Sequence, residues 1–152
     1  MKATIRGRAC AILRRDGRIL LNRYGGDDFW ALPGGSIEVG EFSADALLRE
    51  IEEEVGVKVG VGRLVWVIEN LFDYRDTNYT EFGFYYEAIW PAHVPLRAGE
   101  FLGAEPDQYF RWCDVAETAA LDLRPSGLRA PLLALMNGDA REAVGHFTFS
   151  GL

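Results

Sequence analysis

Apolar positions run in blocks along the chain, separated by turn residues. Within residues 4–13, Ala9-Cys10-Ala11-Ile12-Leu13 forms an apolar stretch, and Asp16-Gly17 after it is a strong hairpin signal. Ile19-Leu20-Leu21 then reads as the returning strand. Residues 25–28 read as a loop. Residues 30–33 are short and extended, because Pro33 pushes Leu32 out of helical geometry.

The pattern then changes period. Leu47, Ile51 and Val55 fall four apart, which makes an apolar stripe and predicts a helix over residues 43–55. Ser43 is the expected N-cap and Gly56 the expected C-terminal stop. Valine-rich residues 57–70 read as strand, with Gly60 and Gly62 marking a turn or bulge. Residues 73–79 should turn, and aromatic-rich residues 80–90 form the next strand. Residues 91–107 read as a long loop and 109–113 as a short strand. Pro125 is expected to open a helix reaching about Met136, with Asn137-Gly138 ending it. In the tail, residues 146–149 read as a late strand. Strands, a helix, more strands and a helix predict an α/β fold, with a mixed sheet carrying helices on its faces.

Composition narrows the function. A chain of 152 residues suits one compact domain. Sixteen Lys and Arg against 23 Asp and Glu leave a net charge of −7, which argues against a broad nucleic-acid surface. An acidic chain still binds a small phosphate ligand if metal ions bridge the two. Two cysteines, Cys10 and Cys113, are too few for a disulfide scaffold or a Cys-rich zinc site and read as buried thiols. No apolar run reaches the roughly 18 residues of a membrane span, and no signal-peptide pattern opens the chain. The expected location is therefore cytoplasmic.

The chemistry concentrates on the predicted 43–55 helix. At about 100° per residue from Leu47, Glu50 falls near −60°, Glu53 near −120° and Glu54 near −20°. Three carboxylates thus share one face beside the apolar stripe, while Glu52 points elsewhere. They repel one another, and they sit toward the helix C-terminus, where the macrodipole disfavours anions. A hard divalent cation resolves the conflict, since Mg²⁺ binds through carboxylate oxygens. The bland alternative is a solvated acidic surface. Pro33-Gly34-Gly35 before the helix permits close backbone approach to a ligand.

Gly35, Glu41, Arg49-Glu50-Ile51, Glu53-Glu54 and Gly56-Val57 keep every spacing of one known pattern. The segment resembles the Nudix box of the Nudix hydrolases. Seven fixed identities arise by accident less than roughly once in ten million starts. The resemblance implies a Nudix α/β/α sandwich. It implies that Glu50, Glu53 and Glu54 hold Mg²⁺ or Mn²⁺, joined by the Gly34 carbonyl, and that they carry the catalysis. It implies an ion pair between Glu41 and Arg49 that ties loop to helix. The implied reaction is hydrolysis of a diphosphate linkage in a nucleoside di- or triphosphate, or in a nucleoside diphosphate joined to another group.

Outside the box, Glu81, Glu100, Glu105 and Asp107 are candidates for a further acidic group, with Glu105 and Glu81 ranked first. Arg23 is a candidate phosphate contact, and a base could stack on Trp30, Phe72, Tyr74 or Tyr79. The expected partner is a small nucleotide or diphosphate substrate, with no membrane and with a homodimer as the candidate assembly. Two alternatives share the fold. One is a sensor that binds ADP-ribose or a nucleotide without cleaving it. The other is an isoprenoid diphosphate isomerase, which would need a catalytic cysteine.

Overall fold

A computed structural model describes residues 1–139 and 141–152. The first strand, β1, runs over Lys2–Arg15 and returns as β2, Arg18–Tyr24. The connection is Asp16-Gly17, with both residues at positive φ (54° and 72°), the hairpin turn that the sequence announces. Two short strands follow, β3 (Trp30–Ala31) and β4 (Gly34–Ser36), and then the helix α1, Ser43–Val55. The long strands β5 (Gly60–Tyr74) and β6 (Thr77–Ile89) form an antiparallel pair around Arg75-Asp76. Register shifts in β5 between Val61 and Trp66 place the irregularity next to Gly62. Then come β7 (Phe101–Leu102), β8 (Gln108–Cys113), α2 (Val115–Ala120), β9 (Leu123–Arg124), α3 (Arg129–Met136) and β10 (Gly145–Ser150).

The strands form one mixed sheet in the order β10-β5-β6-β1-β2-β3-β9. β1 runs parallel to β6 from Lys2 to Leu13, but pairs with β2 only at Arg14 and Arg15. Between these points its other edge takes β4, at Arg8, Ala9 and Cys10. β2 meanwhile turns away to pair with β8 and β3. The sheet therefore opens into two arms that diverge from β1.

Side-chain alternation on β1 supplies both cores. Ala9, Ala11 and Leu13 face α1 and pack with Leu47, Ile51, Phe110 and Trp112. Cys10 and Ile12 face the other way and pack with Trp66, Tyr85, Leu128 at the N-cap of α3 and Leu132 within it. A helix on each side of the sheet gives the α/β/α sandwich. Leu47 and Ile51 are fully buried, worth about 1.5–3 kcal/mol each, and they hold α1 on the sheet.

Several details depart from the sequence reading. The turn expected over residues 73–79 is confined to Arg75-Asp76, because β5 and β6 stay paired through Asp73 with Asn78 and Tyr74 with Thr77. The N-cap of α1 is Phe42, whose ring offers no acceptor to cap with, and the Ser43 hydroxyl, one residue inside the helix, bonds the Tyr86 hydroxyl at 2.7 Å. Pro125 does not open α3: it follows a cis peptide bond in a turn, where its carbonyl accepts from Leu128 N at 2.9 Å, and the helix starts at Arg129. The 91–107 loop contains the short strand β7. The helix α2 was not anticipated.

Candidate active site

The helix α1 ends at Gly56, whose φ of 70° lets the chain leave in the left-handed conformation. Its three box glutamates differ sharply in surroundings. Glu53 is exposed, Glu50 is half-buried and Glu54 is buried, at 4% exposure. The burial of Glu54 follows from its nearness to the Leu47–Ile51 face and from the segment that crosses the helix end. There Ala104 N donates to Glu54 O at 2.9 Å.

Arg49 organises the outer part of the site. Its guanidinium makes a two-pronged contact with Glu41, Nε to Oε2 at 2.8 Å and Nη2 to Oε1 at 2.9 Å. Nη2 also donates to the Ser36 carbonyl at 3.1 Å, so one side chain joins the loop, β4 and the helix. Arg49 holds the Glu41 carboxyl down to about 2, helped by the Glu38 backbone. The same guanidinium reaches Glu50 (Nη1 to Oε1, 2.9 Å) and Glu53 (3.4 Å). It thereby offsets the repulsion between those two carboxylates.

Glu54 has no such partner. Its Oε2 is buried and unbonded among the described residues; the neighbouring Gln108 amide and the Arg8 charge pull its carboxyl down without a hydrogen bond of full geometry. Burial, then the charge of Glu50, lifts the Glu54 carboxyl to about 8. Burial also raises Glu50, against the pull of Arg49. Among the described residues, no three His, Cys, Asp or Glu side chains already converge as a metal-binding group.

The glycines are fitted to this arrangement. Gly34 pairs with Cys10 on β1, and a Cβ there would lie 2.1 Å from the Ala9 carbonyl oxygen. Gly35 pairs with Ala9, and its Cβ would fall 2.2 Å from the Glu50 carboxyl carbon. Glycine at both positions lets β4 lie flat under the helix.

The remaining candidates divide between two places. Glu105 follows the Gly103-Ala104 segment that crosses α1, and its charge reaches both Glu50 and Glu54. It accepts a hydrogen bond from the Tyr24 hydroxyl at 2.9 Å. Glu81 and Arg23 instead line a cleft of about 190 Å³ between the two arms of the sheet. Glu81 is buried and accepts from Arg6 Nε at 2.6 Å. Arg23 is paired with Glu100 at 3.1 Å and lies over the rings of Trp30 and Tyr109. Phe72 and Tyr74 also line the cleft, whereas Trp30 is buried in the core.

Three contributors escaped the sequence reading: Arg8, Asn22 and Gln108. Arg8 donates to the Leu32 carbonyl at 3.2 Å and stands within electrostatic reach of Glu81 and Glu54, between the cleft and the helix. A polar residue closing the apolar run Ile19-Leu20-Leu21 was the available signal for Asn22. Cys10 and Cys113 are buried free thiols, both pushed up to about 11 by burial, so neither suits the nucleophilic or acid–base role an isomerase needs.

Comparison with known proteins agrees with this architecture. The NUDIX domain family model matches residues 4–135, and the chain belongs to that family. CTP pyrophosphohydrolase of Escherichia coli (strain K12) is 32% identical over 127 residues, covering 81% of this chain and 84% of that protein. The MutT-like protein of Streptomyces ambofaciens is 39% identical over 62 residues, 41% of this chain and 40% of that protein. The chain thus spans less than half the length of that relative. Among solved structures, a UDP-X diphosphatase superposes with a TM-score of 0.61 and 27% identity, over 98% of this chain and 69% of that one.

Proposed function

We propose that this protein hydrolyses a diphosphate linkage in a nucleoside di- or triphosphate, or in a nucleoside diphosphate joined to another group. Glu50, Glu53 and Glu54, with the Gly34 carbonyl, would hold Mg²⁺ or Mn²⁺. The single observation that carries the reading is Glu54. Its carboxylate is buried beside a second carboxylate, with one oxygen unbonded and no ion-pair partner within 4 Å among the described residues. A fold does not keep such a group for stability, because a carboxyl buried with an oxygen unbonded costs free energy whether it holds its proton or loses it. A hard cation matches this all-oxygen donor set. Bound there, a divalent ion would neutralise phosphate charge and acidify water.

The chain's own residues supply the rest. Arg49 fixes Glu50 and keeps loop and helix together. Glu105, positioned by Tyr24, adds a carboxylate beside the same cluster. Arg8 places a positive charge between the cleft and the glutamates, where a phosphate chain would cross. The proton of the attacking water passes to a carboxylate drawn from Glu53 and Glu54. The names of relatives, among them CTP pyrophosphohydrolase and UDP-X diphosphatase, support diphosphate-linked nucleotides as the substrate class.

The test is phosphate release from a nucleotide panel with Mg²⁺ or Mn²⁺, using the full chain. The panel holds nucleoside di- and triphosphates, ADP-ribose, nucleotide sugars and dinucleoside polyphosphates. Turnover should vanish in excess chelator, return on adding metal, and fall at least about 100-fold in Glu53→Gln. Turnover that persists in chelator would overturn the mechanism.

A further inference from the structure

The hairpin between β7 and β8 carries a buried polar side chain beside the glutamate cluster. Gly103 N donates to the Gln108 carbonyl at 2.9 Å and closes the hairpin. Ala104 N donates to the Glu54 carbonyl, also at 2.9 Å, and docks the hairpin tip on the end of α1. Gln108, the first residue of β8, pairs with Tyr24 on β2 and is fully buried, at 0% exposure. A Cβ at residue 103 would lie 3.1 Å from Gln108 Oε1 and 3.2 Å from the Glu54 carbonyl oxygen. The Gln108 side chain therefore lies between the hairpin tip and the last turn of α1.

Both Oε1 and Nε2 of Gln108 are buried without a hydrogen-bond partner among the described residues, and so is Oε2 of Glu54. A primary amide offers two donors and an acceptor oxygen, so leaving both ends unmatched is unfavourable. Methionine has a similar length and would fill the space without that penalty. The amide stands close enough to the Glu54 carboxyl to favour its charged form, though no hydrogen bond of full geometry joins them. The two unmatched groups are complementary, because an ionised carboxylate only accepts and an amide nitrogen donates. A hydrogen bond to a charged acceptor is also stronger than one between neutral groups. The other donors of the site are committed elsewhere. Arg8 donates to the Leu32 carbonyl, Arg49 to Glu41 and Glu50, and Tyr24 to Glu105.

We infer that Gln108 is a positioning residue for Glu54: its side-chain amide donates to the Glu54 carboxylate when that group binds a divalent cation, and so fixes the direction in which the carboxylate faces. The inference deepens the hydrolase reading and rests on it for the metal. A ligand carboxylate held by a hydrogen-bond donor binds metal more tightly than one free to turn, and losing such support lowers affinity about 10–100-fold. Gln108 acts here only through Glu54.

The test uses the full chain and metal alone. Gln108 is the chain's only glutamine, so isotope labelling of glutamine at its side-chain nitrogen gives a single amide group in the NMR spectrum. On titration with Mg²⁺, one of its two protons should move downfield, as a proton does on entering a hydrogen bond to a carboxylate. The other should stay close to its metal-free position. In Gln108→Met, which keeps the length and loses the donor, Mn²⁺ affinity by calorimetry should fall about 10–100-fold with an unchanged circular dichroism spectrum. Saturation with Mg²⁺ that leaves both protons unmoved would overturn the inference, and that measurement needs no variant to fold. So would full Mn²⁺ affinity in Gln108→Met. Either result beside intact metal-dependent phosphate release would leave the hydrolase reading standing. A shifted amide proton and weakened metal binding, in a chain that releases no phosphate, would defeat that reading and keep Gln108 in its role. A native chain that binds neither cation would overturn both.

Discussion

The carboxyl group of Glu50 occupies the space that a side chain at residue 35 would fill, with its carbon 2.2 Å from the position of a Gly35 Cβ. β4 and α1 are therefore fitted to each other through a missing methyl group. Gly35→Ala should push Glu50 aside while leaving the fold intact, because only the far end of a flexible side chain has to move. If Glu50 holds a metal as proposed, Mn²⁺ affinity and turnover should each fall about 10–100-fold, the usual effect of disturbing a metal ligand's support. Calorimetric Mn²⁺ titration with a circular dichroism control checks this, and unchanged affinity would contradict it.

Arg49 acts as a fork rather than a simple charge. Arg49→Gln should release Glu41, whose carboxyl would rise from about 2 toward the ordinary carboxylate range. A depressed carboxyl contributes stability above its ordinary value, and that contribution fades as pH falls through its folded value. The stability lost in the variant should therefore be seen at neutral pH and shrink in strong acid. Turnover should fall about 10–100-fold. Carboxyl-resolved NMR titration follows Glu41 directly. A Glu41 value unmoved by the substitution would show that Arg49 is not what holds it down.

In metal-free protein, Glu54 makes folding pH-dependent. Its carboxyl sits near 8 in the folded chain, against an ordinary value of 4.5. Between those values the folded chain keeps a proton that the unfolded chain has released. Stability in chelator should accordingly fall as pH rises through this window. Glu54→Gln has no proton to lose, so its melting temperature should gain on the native chain as pH increases. Thermal melts of both proteins in chelator test this, and a pH-independent difference would refute it.

Local chemistry made much of the fold legible in the sequence. Asp16-Gly17 turns because these residues accept positive φ. Residues 43–55 are helical because Leu47 and Ile51 recur at helical spacing, and Gly56 stops them. The late strand expected over residues 146–149 is present, and β10 extends it by one residue at each end. The helix α2 was also written locally, in the capping box formed by Asp114 and Glu117, but its short length left no periodicity to notice.

The box glutamates were readable for the same reason: they share one helix, and helix geometry relates their directions. Their inequality was not. The sequence alone sets Glu50, Glu53 and Glu54 side by side. Only the segment through Gly103-Ala104, folded across the helix end, buries Glu54 and brings Glu105 to the cluster from about fifty positions away. Likewise Arg23 and Glu81 were found by residue type, but their place in the cleft depends on how β1 shares its edges. β2 leaves β1 after one short pairing while β6 follows it along its length, and the gap between them becomes the cleft that holds Asn22. Contacts between neighbours in sequence are fixed by local stereochemistry. Contacts between distant residues depend on which strands pair and where they part, and only the tertiary structure decides that.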